Sequence, residues 1–195
     1  MILELVKELE REEKQISVYR RKQLKDLSNL LELHSKGVDQ LFVNFVCTHN
    51  SRRSQIAELW FRTMCAQHGI MNLKAISSGT ERTALNHRVV EAWMRSGFAV
   101  QKISKGNNSR YKASYKFAMS SPYMYSKRFT EIDEQHKPFI AVMVCSDADQ
   151  NCPIVPGALA RFSLDYEDPK VADNTEHERQ TYDNKIREIG REMLM

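Results

Sequence analysis

Two apolar runs in this chain end on a cysteine. Leu41–Val46 (LFVNFV) leads into Cys47, and Phe139–Val144 (FIAVMV) leads into Cys145. Near-continuous apolar runs of this length read as strands buried on both faces. Helical periodicity lies between and after them. Ile56, Trp60 and Met64 share one face of a helix predicted over 53–68, with Gly69 as its stop. Asn86 is a fitting N-cap for a helix that carries Val89, Val90, Trp93 and Met94 and ends at Gly97. Thr175 and Glu178 have capping-box spacing ahead of the stripe Tyr182, Ile186, Ile189 and Met193. Further strands are expected at 73–76, 111–118 and 160–164. Strands alternating with helices require crossovers, so the expected fold is α/β: three layers, with helices on both faces of a four-stranded parallel sheet. Such sheets bind ligands outside the carboxyl ends of their strands, which is where Cys47 and Cys145 fall.

Ahead of this pattern, residues 1–36 read as helix, from Ile2, Leu5, Val6 and Leu9 and then Leu24, Leu27, Leu30 and Leu31. The first 40 residues hold eight basic and eight acidic side chains, so their polar face is balanced. We read 1–40 as a helical arm that packs on the domain or forms a homodimer contact. Residues 41–195 are the catalytic domain, with an insertion at about 104–135. The net charge of +4 is mild and Lys and Arg are spread along the chain, which gives a nucleic-acid partner little support. No apolar run approaches the ~18–20 residues of a membrane span, and the N-terminus has no signal-peptide core, so a cytoplasmic protein is expected. In a reducing compartment the four cysteines, Cys47, Cys65, Cys145 and Cys152, are catalytic, metal-bound or simply buried rather than disulfide-linked. Cys65 shares a helix face with Ala57 and Phe61 and reads as core.

The residues after Cys47, Thr48-His49-Asn50-Ser51-Arg52-Arg53-Ser54, change character at once. Amides in a tight turn between a strand and a helix point inward and form an anion nest. The helix adds its unpaired N–H groups and the positive end of its dipole. Arg53, six positions after Cys47, can close the ring on a tetrahedral oxyanion through paired hydrogen bonds. That positive surrounding favours the thiolate, the nucleophilic form of cysteine, and Ser54 can donate a hydrogen bond to it.

The Cys-x5-Arg-Ser loop, with Thr48, Asn50, Ser51, Ser54, Gln55, Ala57 and Glu58 around it, resembles that of the low-molecular-weight protein tyrosine phosphatases. It resembles still more the thioredoxin-coupled arsenate reductases of the same fold, from about residue 41 to the C-terminus. The resemblance implies a nucleophilic Cys47, an anion clamp in Arg53, and an oxyanion cradle of residues Thr48, His49, Asn50, Ser51, Arg52 and Arg53. Asn50 corresponds to the asparagine that shapes the loop; with Glu58 and Ser77 it matches a potassium site of some reductases, and no other cofactor is implied. Asp168, directly before Pro169, matches the general acid. The segment CSDADQNCP matches the reductases' relay, which implies that Cys145 and Cys152 pass the oxidised state outward to thioredoxin.

His49 and Arg52 depart from the family: His49 adds positive field or faces solvent, and Arg52 steers an anion or lies on the surface. Lys170 and Val171 follow Asp168-Pro169 where phosphotyrosine phosphatases carry aromatic residues, although Tyr111, Tyr115, Tyr123 and Tyr125 of the insertion are a replacement wall. The leading expectation is reduction of arsenate to arsenite by Cys47, Cys145 and Cys152. The alternative is hydrolysis of phosphomonoesters through a Cys47–phosphate intermediate. A non-hydrolytic oxyanion-binding or thiol-sensing protein is a third reading. A zinc site from Cys47, His49, Cys145 and Cys152 lacks the short Cys-x2–4-Cys spacing of zinc knuckles.

Overall fold

In a computed structural model of the protein, residues 2–115, 123–152 and 154–195 are described. The chain runs through α1 (Ile2–Arg11), α2 (Val18–Ser35), β1 (Leu41–Cys47), α3 (Arg53–Gln67), β2 (Leu73–Gly79), α4 (His87–Arg95), β3 (Ala99–Lys102), β4 (Tyr111–Ser114), β5 (Tyr123–Met124), β6 (Phe139–Met143), α5 (Ser146–Asn151), β7 (Ala158–Ser163) and α6 (Glu178–Glu192). The main sheet has the order β2-β1-β6-β7, and every pairing in it is parallel. Helices pack on both sides, giving a three-layer α/β fold. β1 lies between β2 and β6, and both it and β6 are buried almost throughout, which is why their sequences do not alternate.

The chemistry-bearing loops follow from this order. Because β1 and β6 are adjacent and parallel, with Val46 opposite Met143, Cys47 and Cys145 leave the sheet side by side. β2, on the other flank of β1, puts Gly79 opposite Cys47.

The two N-terminal helices share the domain's own core. Ile2, Val6, Leu9, Ile16, Leu24, Leu27 and Leu31 are buried in one cluster with Trp60, Tyr182, Ile186 and Ile189. Gly190 of α6 is where this packing is closest. A Cβ there would stand 2.6 Å from Trp60 and 2.9 Å from Leu9, so only glycine lets α1, α3 and α6 meet. Arg187 and Arg191 of α6 bind Glu12, and Arg20 of α2 binds Glu192 at 2.9 Å.

Several boundaries differ from expectation. β2 runs three residues beyond 76, because its end is held by the loop after β1 and not by its own apolar residues. β7 begins at Ala158, two residues before the expected start. The strand expected over 111–118 spans Tyr111–Ser114, and 116–118 lie outside the described residues. β3 was not anticipated. It joins β4 and β5 in a separate antiparallel sheet. The end of β2 is tied to the segment after β5 by Gly79 N–H, which donates to Lys127 O at 2.8 Å. The expected capping box is absent: α6 starts at Glu178, Glu178 accepts instead from Asn174 N–H (2.5 Å), and Thr175 Oγ1 accepts from His177 N–H (3.2 Å). Asn174, at φ 63°, turns the chain so that the helix opens later than the spacing suggests.

Candidate active site

The loop from Cys47 to Arg53 is held by its carbonyl groups. Cys47 O accepts from Thr80 N–H (3.2 Å), Thr48 O from Glu81 N–H (2.8 Å) and Ser51 O from Asn86 N–H (3.1 Å). His49 O accepts from Ser126 Oγ (2.8 Å), and Asn50 O from Gln55 Nε2 (3.1 Å). Every one of these carbonyls points outward to a fixed partner. Among the described residues, no acceptor takes the backbone N–H groups of residues 48–52. They are left on the inner side of the turn, where α3 opens at Arg53. A ring of unpartnered amides at a helix N-terminus is an anion cradle.

Asn50 holds the turn together. Its backbone is left-handed at φ 46°, a conformation asparagine tolerates better than most residues. Its side chain is fully buried: Nδ2 donates to Ser54 Oγ (2.8 Å) and Ser77 Oγ (2.9 Å), and Oδ1 accepts from Lys127 N–H (2.9 Å) and Gln55 Nε2 (3.1 Å). Ser54 Oγ lies 3.1 Å from Cys47 Sγ. Since it already accepts from Asn50, its own hydrogen is free to point at the sulfur, an arrangement that stabilises a thiolate. Gly79 completes the seat. A Cβ there would fall 2.7 Å from Asn50 N and from Thr48 O, so the loop can lie on β2 only over a glycine.

Cys47, His49, Ser51, Arg52, Arg53 and Asp168 line one small cleft. Asp168 caps the short 3-10 turn Pro169–Ala172, accepting from Lys170 N–H at 3.0 Å, and Pro169 occupies the first position of that turn. This local geometry aims its other oxygen at Arg53, whose Nη2 donates to Asp168 Oδ2 (2.8 Å) while Nη1 donates to Tyr166 O (3.0 Å). The guanidinium expected to grip an oxyanion thus holds the carboxylate instead. An incoming anion must compete with Asp168 for it.

Arg52 lines this cleft and is not a surface residue. Its side chain is only 12% exposed, with Nε donating to Tyr182 Oη (2.7 Å) and Nη2 to Asp173 Oδ2 (3.0 Å). Tyr182 Oη donates to Asp173 Oδ1 (2.7 Å), closing a triangle between the anion loop, the end of the Asp168 turn and α6. Burial and the bond to Asp173 keep the Tyr182 phenol protonated well above its ordinary range. His49 takes the solvent-facing option, 3.4 Å from Glu81. None of the insertion's tyrosines lines the cleft around Cys47, so the replacement aromatic wall is not formed there.

Cys145 Sγ lies 3.6 Å from the Thr48 hydroxyl, against the anion loop, and accepts from Ala148 N–H (3.3 Å) as the N-cap of α5. Cys152 ends the same helix, its thiol bonded to Ile154 O (3.2 Å) and made harder to ionise by burial. All four cysteines are free and buried. Cys65 belongs to the core side of α3, where burial pushes its thiol up to about 12.

The potassium trio does not fit a further cation. Asn50 turns its donor toward Ser77, Ser77 Oγ donates to Glu58 Oε2 at 2.6 Å, and Arg62 Nη1 stands 3.7 Å from Glu58 Oε1. Lys127 brings a second positive charge into the field of Glu58. The oxygens that would ligate an ion are taken and the charge it would bring is already there. Among the described residues, no group of three or more His, Cys, Asp or Glu could hold a metal, and no helix is long and apolar enough to cross a membrane.

Residues overlooked in the sequence are those that fix others: Gly79, Ser126, Lys127, Asp173 and Tyr182. Only Gly79 left a signal, as the glycine ending the strand after the Cys-x5-Arg loop.

A parallel four-stranded sheet with an amide cradle between a strand-ending cysteine and a helix-opening arginine is a three-layer α/β arrangement of the phosphatase type. Residues 42–118 match the sequence model of the family Low molecular weight phosphotyrosine protein phosphatase. It is 27% identical to the arsenate reductase of Bacillus subtilis (strain 168) over 154 residues, covering 78% of this chain and 92% of that protein. It is 25% identical to arsenate reductase 2 of Staphylococcus epidermidis over 132 residues, covering 68% and 81%. In fold it is similar to a low molecular weight protein tyrosine phosphatase from Bacillus subtilis (TM-score 0.52, 16% identity, 78% of this chain and 92% of that one) and to one from T. tengcongensis (TM-score 0.51, 16% identity, 79% and 95%).

Proposed function

We propose that this protein reduces arsenate to arsenite through its three relay cysteines. The observation that carries the reading is the Cys145 sulfur packed 3.6 Å from Thr48, beside the Cys47 loop, with Cys152 at the far end of the same short helix. A simple phosphatase has no use for either thiol. Among the described residues no phenylalanine, tyrosine or tryptophan lines the cleft, which favours a small inorganic oxyanion over an aryl ester.

In this reading arsenate enters the amide cradle and displaces Asp168 from Arg53. The Cys47 thiolate attacks arsenic, Asp168 protonates the departing oxygen, and water leaves. The Cys145 thiolate then attacks the Cys47 sulfur, and arsenite departs with the electron pair. This leaves a 47–145 disulfide. The Cys152 thiolate attacks Cys145, restores the Cys47 thiolate and forms a 145–152 disulfide, which a dithiol protein such as thioredoxin reduces. The last exchange requires α5 to unwind. Seven residues of helix separate the two Cα atoms by about 10 Å, and a disulfide needs about 4.4–6.8 Å.

The Arg53–Asp168 pair beside a nucleophilic cysteine also favours a second reading, hydrolysis of a phosphomonoester by the same cradle. Both are tested by measuring arsenate-dependent thioredoxin oxidation and para-nitrophenyl phosphate hydrolysis with wild type, Cys47→Ser, Cys145→Ser and Cys152→Ser. The relay reading expects every substitution to stop thioredoxin oxidation. Brisk hydrolysis by a wild type that never oxidises thioredoxin would overturn it.

A further inference from the structure

The positive charge of this protein is concentrated in one segment. Residues 99–128 contain seven lysines and arginines and no aspartate or glutamate, while the rest of the chain, with 22 basic and 25 acidic residues, is net negative. Lys and Arg are spread along the chain; this segment differs in having no acidic residue to offset them. Elsewhere many arginines are neutralised in place: Arg20, Arg52, Arg53, Arg88, Arg95, Arg161, Arg187 and Arg191 all sit within 4 Å of a carboxylate. Among the described residues, Lys102, Lys105, Arg110 and Lys112 have no such partner.

Of these, Arg110 and Lys112 lie on the outer face of the antiparallel sheet, Lys105 is in the β3–β4 loop, and Lys102 shares the other face with Tyr111. Register puts Gln101, Lys112 and Tyr123 in one row across β3, β4 and β5, and all three are exposed. The opposite face carries Ala113 and Met124, both fully buried. Along the outer side a ladder alternates cation and ring. Lys112 lies 5.6 Å from Tyr123, and Arg110 5.9 Å from Tyr123 and 4.9 Å from Tyr125; Lys127, turned inward toward Glu58, backs Tyr125 at 5.0 Å. The ladder ends on the anion loop. Lys127 N–H donates to Asn50, Ser126 Oγ to His49 O, and Tyr125 O accepts from Gln55.

We propose that the outer face of β3, β4 and β5 is a docking surface for an acidic polypeptide, held next to the oxyanion cradle. The rings fix the cationic heads from one side and leave their N–H donors for carboxylates, which Arg110 can take through two parallel bonds. A single-stranded nucleic acid fits less well. Its affinity comes from bases stacked on open aromatic faces, and here each ring already carries two cations of the chain. The proposal does not depend on which reaction Cys47 performs.

The test is fluorescence anisotropy with full-length protein and three probes: a short labelled glutamate-rich peptide, a labelled oligothymidylate, and vesicles of anionic lipid. Wild type should bind the peptide most tightly and lose at least about tenfold in affinity between low and physiological salt. Arg110→Glu/Lys112→Glu, and the milder Arg110→Gln/Lys112→Gln in case the reversal misfolds, should each weaken peptide binding at least about tenfold. Lys36→Glu, an exposed change just past the end of α2, should leave it within about twofold. No peptide binding by wild type, tighter binding of oligothymidylate or vesicles than of peptide, or unchanged binding by a folded double variant would each overturn the proposal.

Discussion

The loop after β1 and the segment after β6 begin alike and are built differently. Each leaves the carboxyl end of a buried parallel strand through a cysteine that precedes a helix. The first is held along its whole length: five loop carbonyls have fixed partners from outside the loop, Asn50 makes four side-chain bonds, and Gly79 lets β2 press against it. The second passes into a six-residue helix held to β7 mainly by Asp149, which accepts from Arg161 (2.5 Å) and Ser163 (2.6 Å). So short a helix has little stability of its own, because nucleation is costly and few bonds follow. The contrast matches what each cysteine is proposed to do. A nucleophile that must face one small anion gains from a rigid seat, whereas a thiol that must reach two partners in turn needs a segment that can open.

The largest expected effect comes from removing the nucleophile. Cys47→Ser should lower both arsenate reduction and phosphate hydrolysis by roughly 10⁴–10⁶-fold, read by initial rates; retention of either would break the assignment of the rigid loop. Gly79→Ala comes next. Its methyl would meet backbone at 2.7 Å on the loop side, so about 3 kcal/mol or more of stability should be lost along with most activity. Thermal unfolding and oxyanion binding measure the two, and a melting point unchanged from wild type would mean that the loop is less constrained than its contacts imply.

Cys145→Ser and Cys152→Ser sharpen the other half of the comparison. Each should abolish thioredoxin oxidation while any phosphate hydrolysis stays within about threefold, since neither thiol holds the cradle. Asp149→Ala should cost only about 1 kcal/mol, because the Arg161 pair is partly exposed, yet should speed formation of the 145–152 disulfide, followed by mass spectrometry after arsenate turnover. Slower disulfide formation would show that the helix must stay intact. The smallest effect is in alkylation. With its thiol pushed up to about 12, Cys65 should carry roughly one part in 10⁴ of thiolate at pH 8 and be labelled last by iodoacetamide. Its reactivity should rise only as the pH approaches 11–12, and early labelling at neutral pH would contradict its burial.

Much of this site was legible in the sequence, and for a local reason. Cys47, Asn50, Ser54 and Arg53 fall within one turn and one helix start, so spacing alone brings them together. Asp168 was legible through the proline that follows it. Arg52 was not: the adjacent residue gives no hint that its side chain runs 130 positions ahead to Tyr182. Nor was the short helix α5 between the relay cysteines, since a Cys–Cys spacing is silent about what lies between.

The sequence by itself determined the strand and helix alternation, the cysteine at each strand end and the chemistry of the turn that follows β1, because those depend on periodicity and on neighbours a few residues apart. Only the tertiary structure decided that β1 and β6 lie side by side, that the N-terminal helices close over α6, that Arg53 rests on Asp168, and that the insertion folds as its own sheet against the loop. These depend on which surfaces meet after burial. Residues distant in the chain become partners only when the core fixes their distance, and no local pattern encodes that choice.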